Sequence, residues 1–273
     1  MDHYLRSALR FDVLDSGPRD GEVVVLLHGF PQQPSTWDAV AEKLNTAGLR
    51  TLVPTMRGYT ATNRPRPRRA YATSETAADV VALLDAAGLE RAHLVGHDFG
   101  ATAAWGAAGW YPDRVATFTS LSTPHPAAFR DGFRAGQARA SWYMALFQLP
   151  RLPEALARRT MTKALIDGGA PPERAESYAV ALAEPGALTG ALNWYRGIPF
   201  STKPIGRITV PTTYVWGRHD VALVRTTAEA TAKYVVGPYR FLDLDAGHWL
   251  PEREPEAVTE AILDRVTGAR ASG

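Results

Sequence analysis

A short apolar run, Ala92-His93-Leu94-Val95, leads straight into Gly96-His97-Asp98-Phe99-Gly100, and an alanine-rich stretch follows. Small residues two positions either side of a central side chain describe a tight elbow from strand into helix. The glycines accept the backbone strain and the close helix approach that lift the central residue above the sheet edge. A chain with this feature needs a strand that ends in the elbow and a helix packed hard behind it. The raised residue here is an aspartate, where such elbows most often carry serine. A carboxylate in that position attacks an alkyl carbon instead of transferring an acyl group.

Short apolar runs alternate with longer helical patterns over most of the chain. Glu22–Leu27 predicts a buried strand, ended by His28-Gly29-Phe30-Pro31. A helix opens at Ser35-Thr36, runs through Trp37, Val40 and Leu44, and closes at Gly48; Arg50–Pro54 is the next strand. The spacing of Val80, Val81 and Leu84 predicts a helix over Thr76–Ala87, closed by Gly88. His93–Val95 is a strand, Phe99–Trp110 a helix and Val115–Leu121 a further strand. This alternation points to an α/β fold, a mostly parallel sheet flanked by helices on both faces.

The alternation breaks between about Pro126 and Pro204, where four helical patterns (129–147, 153–166, 172–183 and 187–196) follow without a strand. Strand patterns return at Thr212–Trp216 and Tyr239–Asp243, and a last helix covers Pro255–Val266. The arrangement predicts a core domain of residues 1–126 and 205–273, with an all-helical cap, residues 127–204, inserted over the strand ends.

At 273 residues and 45% hydrophobic, the chain can build one large core with such an insertion. Thirty basic against 28 acidic residues leave a net charge of +2, which demands no anionic partner. The basic run Arg64–Arg69 reads as a proline-stiffened, solvated loop, not as a nucleic-acid or membrane patch. The absence of cysteine excludes disulfides, thiolate metal sites and a cysteine nucleophile. No apolar targeting segment opens the chain, and the longest clean apolar run, Val23–Leu27, is far too short to span a membrane. The expectation is a cytoplasmic protein without nucleic-acid partner or membrane insertion.

Three loops at strand ends carry groups that suit one another. Asp98 follows one strand; Asp220, in Trp216-Gly217-Arg218-His219-Asp220, follows another; His248, in Ala246-Gly247-His248-Trp249, follows the last. The order nucleophile, acid, histidine is that of a hydrolytic triad at the C-terminal edge of an open α/β sheet. Each member also has a plainer reading. Asp98 could cap a helix, Asp220 could cap the helix starting near Arg225, and His248 could be structural. Shared order and the glycines flanking Asp98 favour the triad.

Of the other histidines, His97 should point away from Asp98, and His219 should face elsewhere than its neighbour Asp220. His28 and His125 sit in turns beside prolines, where bonding to backbone suits them. A metal site from His219, Asp220 and His248 would leave the elbow unexplained, so no metal and no other cofactor is expected.

Six segments, His28-Gly29-Phe30-Pro31, Arg57-Gly58-Tyr59, Gly96-His97-Asp98-Phe99-Gly100, Thr123-Pro124-His125-Pro126, Trp216–Asp220 and Gly247-His248, closely resemble the α/β-hydrolase-fold epoxide hydrolases. The resemblance extends over nearly the whole chain. Narrower still are Trp142-Tyr143 with Phe147-Gln148, and Leu192-Asn193-Trp194-Tyr195-Arg196, which look like the family's two epoxide-gripping tyrosine motifs. Phe99 stands where the family usually has tryptophan.

The resemblance implies the α/β-hydrolase fold and conversion of an apolar epoxide to a vicinal diol. Asp98 would form an ester with a ring carbon, and water activated by His248, itself oriented by Asp220, would hydrolyse it. Tyr143 and Tyr195 would hydrogen-bond the epoxide oxygen; their plainer reading is aromatic packing within the cap. The main-chain N–H groups of Phe30 and Phe99 would form an oxyanion hole, and the bond before Pro31 would be cis. Phe30, Trp142 and Phe147 are expected in an apolar, aromatic-lined substrate pocket.

Two other readings use the same scaffold. A haloalkane dehalogenase shares the Asp-His-Asp triad, but its usual asparagine or glutamate after His-Gly is Phe30 here, and its tryptophan after the nucleophile is Phe99. A non-catalytic ligand-binding homologue would tend to lack a triad member, and none is missing. Epoxide opening by an internal hydroxyl, giving a ring in place of a diol, stays open.

Overall fold

The computed structural model describes residues 1–270; residues 271–273 of the expected core segment lie outside the described residues. Six parallel strands form its centre: β3 (Val23–Leu27), β4 (Arg50–Pro54), β5 (Ala92–His97), β6 (Val115–Leu121), β7 (Thr212–Gly217) and β8 (Tyr239–Leu244). Before them come β1 (His3–Arg6) and β2 (Leu9–Ser16), an antiparallel hairpin whose second strand pairs antiparallel with β4. The sheet order is β1-β2-β4-β3-β5-β6-β7-β8.

The hairpin was not expected from the sequence. Tyr4, Phe11 and Val13 turn inward, yet Leu5 and Leu14 are 64% and 55% exposed, so the apolar alternation is blurred. Its turn also lacks the usual glycine: Ser7 takes the positive φ, 55°.

β3 is buried along its whole length because helices cover both faces. Val23, Val25 and Leu27 pack with α2 (Thr73–Ala86) and α3 (Phe99–Trp110), whereas Val24 and Leu26 pack with α1 (Asp38–Thr46) and α12 (Pro255–Arg270). β3 lies between β4 and β5, so the strand order reverses there. The crevice at the C-terminal ends of β3 and β5 is therefore the place where an open α/β sheet binds its ligand. Phe30 and Asp98 both sit just past those ends.

Between β6 and β7 the chain is helical: α4 (Pro126–Asp131), α5 (Gln137–Ala140), α6 (Trp142–Phe147), α7 (Leu152–Asp167), α8 (Pro172–Ala183) and α9 (Ala187–Gly197). The single helix expected over 129–147 is instead three short helices and a 3₁₀ turn at Gly132–Ala135. Gly136, left-handed at φ 101°, ends that turn and redirects the chain. After β7 come α10 (Arg225–Ala230) and, after β8, α11 (Leu250–Arg253).

The basic segment 64–69 also departs from expectation. Arg66, Arg68 and Arg69 are exposed, but Arg64 is half-buried and donates to the carbonyls of Gly58 (3.0 Å), Tyr59 (3.2 Å) and Pro185 (2.8 Å). It ties the core to the loop before α9, which a count of charges along the sequence does not reveal. Among the described residues no helix is long and apolar enough to cross a membrane.

Candidate active site

Asp98 lies between β5 and α3 with φ 50° and ψ −123°, a backbone region that non-glycine residues rarely occupy. It stands at the N-cap of α3, yet its side chain caps nothing there. Oδ1 instead accepts the Phe30 N–H at 2.8 Å, so the carboxylate faces the loop after β3. A Cβ on Gly100 would lie 2.1 Å from the Leu27 carbonyl oxygen, so only glycine lets α3 approach so closely. Thr123 Oγ1, just past the end of β6, donates to the Asp98 carbonyl at 3.0 Å and braces the elbow. The Phe30–Pro31 peptide is cis, and Phe99 is the first residue of α3.

Asp220 does not cap α10, whose N-cap is Val224. Its Oδ1 accepts the N–H groups of Ala222 (2.8 Å) and Leu223 (3.0 Å), and its Oδ2 lies 2.8 Å from His248 Nδ1. The other ring nitrogen, Nε2, is 3.9 Å from Asp98 Oδ2. Burial pulls the His248 pKa down, but Asp220, aided by Asp98, outweighs it and raises it to about 9.

Tyr195, on α9, is buried, and its ring packs edge-on against Phe99 (4.7 Å between centroids) and Phe30 (5.2 Å). Tyr143, on α6, is half-buried, with its ring 5.9 Å from that of Tyr195. The two helices are tied together: Gln148 Nε2 donates to the Tyr195 carbonyl at 2.7 Å, and Arg196 Nε to the Phe147 carbonyl at 3.0 Å. A buried Arg196–Glu154 pair at 2.7 Å adds α7 to the cluster. Burial, then Asp98 and Asp220, push the Tyr143 phenol well above its usual range. Burial, Tyr143 and Asp98 do the same for Tyr195.

A cavity of about 430 Å³ opens beside Asp98, Phe99 and Tyr143. Phe129, Phe133, Met144, Ile198, Ile205 and Leu223 make most of it apolar. Three expected pocket residues are not in its walls. Trp142 is 67% exposed, because adjacent helical residues point about 100° apart and Tyr143 takes the inward direction. Phe147 and Phe30 instead pack against the tyrosines, with Phe147 edge-on to Tyr195 at 4.8 Å and tilted against Phe30 at 6.0 Å.

Residues 22–163 match the alpha/beta hydrolase fold family. Epoxide hydrolase A of Mycobacterium tuberculosis is 32% identical, across 96% of this chain and 95% of its own length. The chain belongs to the α/β-hydrolase-fold epoxide hydrolase family. The α/β-hydrolase superfamily protein YfhM of Bacillus subtilis is 31% identical over 94% of each chain. A crystal structure of epoxide hydrolase A from Mycobacterium thermoresistibile superposes with a TM-score of 0.84 at 29% identity, covering 97% of both chains.

Several contacts of this α/β-hydrolase were not foreseen from the sequence. His97 Nε2 and Ser122 Oγ each lie 2.9 Å from the His248 carbonyl, which holds the histidine loop in place. His97 Nδ1 contacts Gln32 Oε1 at 2.9 Å; that oxygen also accepts the Gly29 N–H at 2.8 Å. Gln32 Nε2 in turn donates to Glu252 Oε1 at 2.8 Å. The position of Gln32 directly after Pro31 was the one signal available. His219 is on the surface, paired with Asp245 at 2.8 Å. Among the described residues no group of three or more His, Cys, Asp or Glu is arranged to hold a metal ion.

Two other buried histidines, His28 and His125, make stability depend on acid. His28 Nε2 accepts the Met56 N–H at 3.0 Å, and His125 Nδ1 accepts the Ala127 N–H at 3.1 Å, so protonation would cost each a hydrogen bond. Burial pushes both pKa values down to about 4 from 6.5. Their contribution is complete above about pH 6.5 and is lost as pH falls toward 4, about 3 kcal/mol for each. His248 acts in the other sense: its contribution is complete below about 6.5 and is lost as pH rises through about 9. Urea unfolding should therefore show a stability maximum near neutral pH and a steep loss from pH 6.5 to 4. A flat profile over that interval would contradict the assignment.

Proposed function

We propose that the chain hydrolyses an apolar epoxide to a vicinal diol in two covalent half-reactions, with residues 127–204 acting as a cap that supplies the acid side of the site. The observation that carries this reading is the pair of phenols on α6 and α9, their rings 5.9 Å apart and that of Tyr195 4.7 Å from Phe99 beside the nucleophile. Burial first, and Asp98 among the lesser causes, keep both from ionising. A strained ring still has a poor leaving group, so carbon attack needs hydrogen-bond donors on oxygen. Phenols that stay neutral can donate without first losing their protons.

In the first half-reaction an Asp98 oxygen forms a bond to a ring carbon while the C–O bond breaks. Tyr143 and Tyr195 stabilise the alkoxide, which takes a proton from one of them, and that phenol is reprotonated from solvent. Esterification removes the Asp98 charge, one of the causes holding the His248 pKa high, so the imidazole becomes available as a base at that stage. In the second half-reaction His248, steadied by Asp220, draws a proton from water that attacks the Asp98 carboxyl carbon. The acyl C–O bond then breaks, the departing diol oxygen takes the proton from His248, and the proton left on the Asp98 carboxyl passes to solvent, restoring the carboxylate. The 3.9 Å gap between Nε2 and Oδ2 suits a base working through water. Phe30 N–H, already 2.8 Å from Oδ1, and Phe99 N–H would bear the oxyanion. No cofactor is required at any step.

Halide chemistry is less well served. The side chains of Phe30 and Phe99 carry no N–H donor, and the Trp194 indole N–H is committed to the Arg57 carbonyl at 2.7 Å. The deciding experiment offers purified protein styrene-type, alkyl and cyclic oxides with diol detection, and a haloalkane panel with halide detection. Diol without halide is expected; halide release without diol would overturn the reading.

A further inference from the structure

We infer that the outer end of the cavity is an anion subsite, formed by Arg130 and Lys203, which takes the carboxylate of an epoxide carrying an acidic tail. This rests on the epoxide-hydrolase reading and names the substrate class for the same site. Arg130 and Lys203 share the cavity lining with Asp98. The Asp98 side chain is only 19% exposed, whereas both cations are exposed. The cavity thus has its carboxylate at the inner end and two positive charges toward solvent, with Phe129, Phe133, Ile198 and Ile205 among its apolar walls.

Among the described residues neither cation has a salt-bridge partner within 4 Å. Asp131, the acidic neighbour of Arg130, accepts the Tyr234 hydroxyl and forms no salt bridge with Arg130. The Lys203 ammonium lies 4.6 Å above the Trp110 ring, which holds a cation without cancelling its charge. Trp110 is itself fixed by its indole N–H, which donates to the Pro204 carbonyl at 2.9 Å. Across 127–204 there are ten Lys and Arg against six Asp and Glu, while the rest of the chain has twenty against twenty-two. The insertion therefore adds a positive field on this side, which favours entry of anions.

Geometry also answers the obvious objection, that Asp98 would repel an acid. A substrate that is anionic at one end and an epoxide at the other keeps its charge between Arg130 and Lys203 while only the ring reaches Asp98.

The test compares three straight-chain terminal epoxides of equal length ending in a carboxylate, a primary alcohol or a methyl group. Solvent-exposed ion pairs change affinity by roughly two- to fivefold each, so wild type should favour the acid by roughly tenfold in kcat/KM, through KM. Arg130→Gln and Lys203→Gln together should erase that preference and leave the alcohol and alkyl substrates unchanged. Added salt should shrink the wild-type preference and leave the double variant unaffected. Diol from all three substrates with no preference for the acid, or a preference that survives in the double variant, overturns the subsite alone. Diol from none of them overturns the hydrolase reading and the subsite with it.

Discussion

Asp98→Asn is expected to reduce epoxide turnover by at least about 10⁴-fold with the fold unchanged. The substitution is close to isosteric, and an amide oxygen can still accept the Phe30 N–H now held at 2.8 Å. What disappears is the anion proposed to attack carbon. Asp220 is turned to His248 and to the amides of Ala222 and Leu223. The same variant removes one negative charge facing His248, so the imidazole should titrate below its present value of about 9. Steady-state diol formation and histidine NMR titration together check this. Residual turnover above about one per cent, or an unmoved His248, would mean that Asp98 is not the attacking group.

The second large effect concerns the phenols. Tyr143→Phe or Tyr195→Phe should slow ester formation by about 10²-fold, since one lost donor to a developing oxyanion costs about 2.7–4 kcal/mol. The double variant should fall further, though by less than the product of the two, because the hydroxyls perturb each other. Phenylalanine keeps the ring contacts with Phe99, Phe30 and Phe147, so the unfolding midpoint should hardly move. Stopped-flow measurement of the first half-reaction separates this from any effect on ester hydrolysis. A double variant that forms the ester at the wild-type rate would reduce both residues to packing.

Local chemistry explains which parts of this architecture were legible in advance. The Asp98 elbow could be read because Gly96 and Gly100 sit at fixed offsets from it, and β4, α3 and β6 follow from uninterrupted patterns. Asp220 and His248 were legible as strand-end residues in the right order. Tyr143 and Tyr195 were not visible from periodicity at all; only the resemblance of their surroundings singled them out.

What escaped the sequence is set by contacts between distant segments. The three carbonyls that engage Arg64 lie in two loops far apart in the chain, one of them at Pro185. The link from His97 through Gln32 to Glu252 joins three strand ends and leaves no spacing to detect. Trp142 looked like a pocket residue because aromatics cluster near it, but the helical turn sends it outward once Tyr143 points in. The β1–β2 hairpin was hidden by exposed leucines, whose burial no pattern could predict.

The proposed covalent ester on Asp98 is tested most directly by trapping it. His248→Gln keeps the nucleophile and both phenols but removes the base, so ester should form and persist. Mixing this variant with a turned-over epoxide and recording intact and peptide masses should show one equivalent of epoxide mass, on the peptide containing Asp98. An unmodified protein, with the same epoxide consumed by wild type, would mean that water opens the ring without an ester.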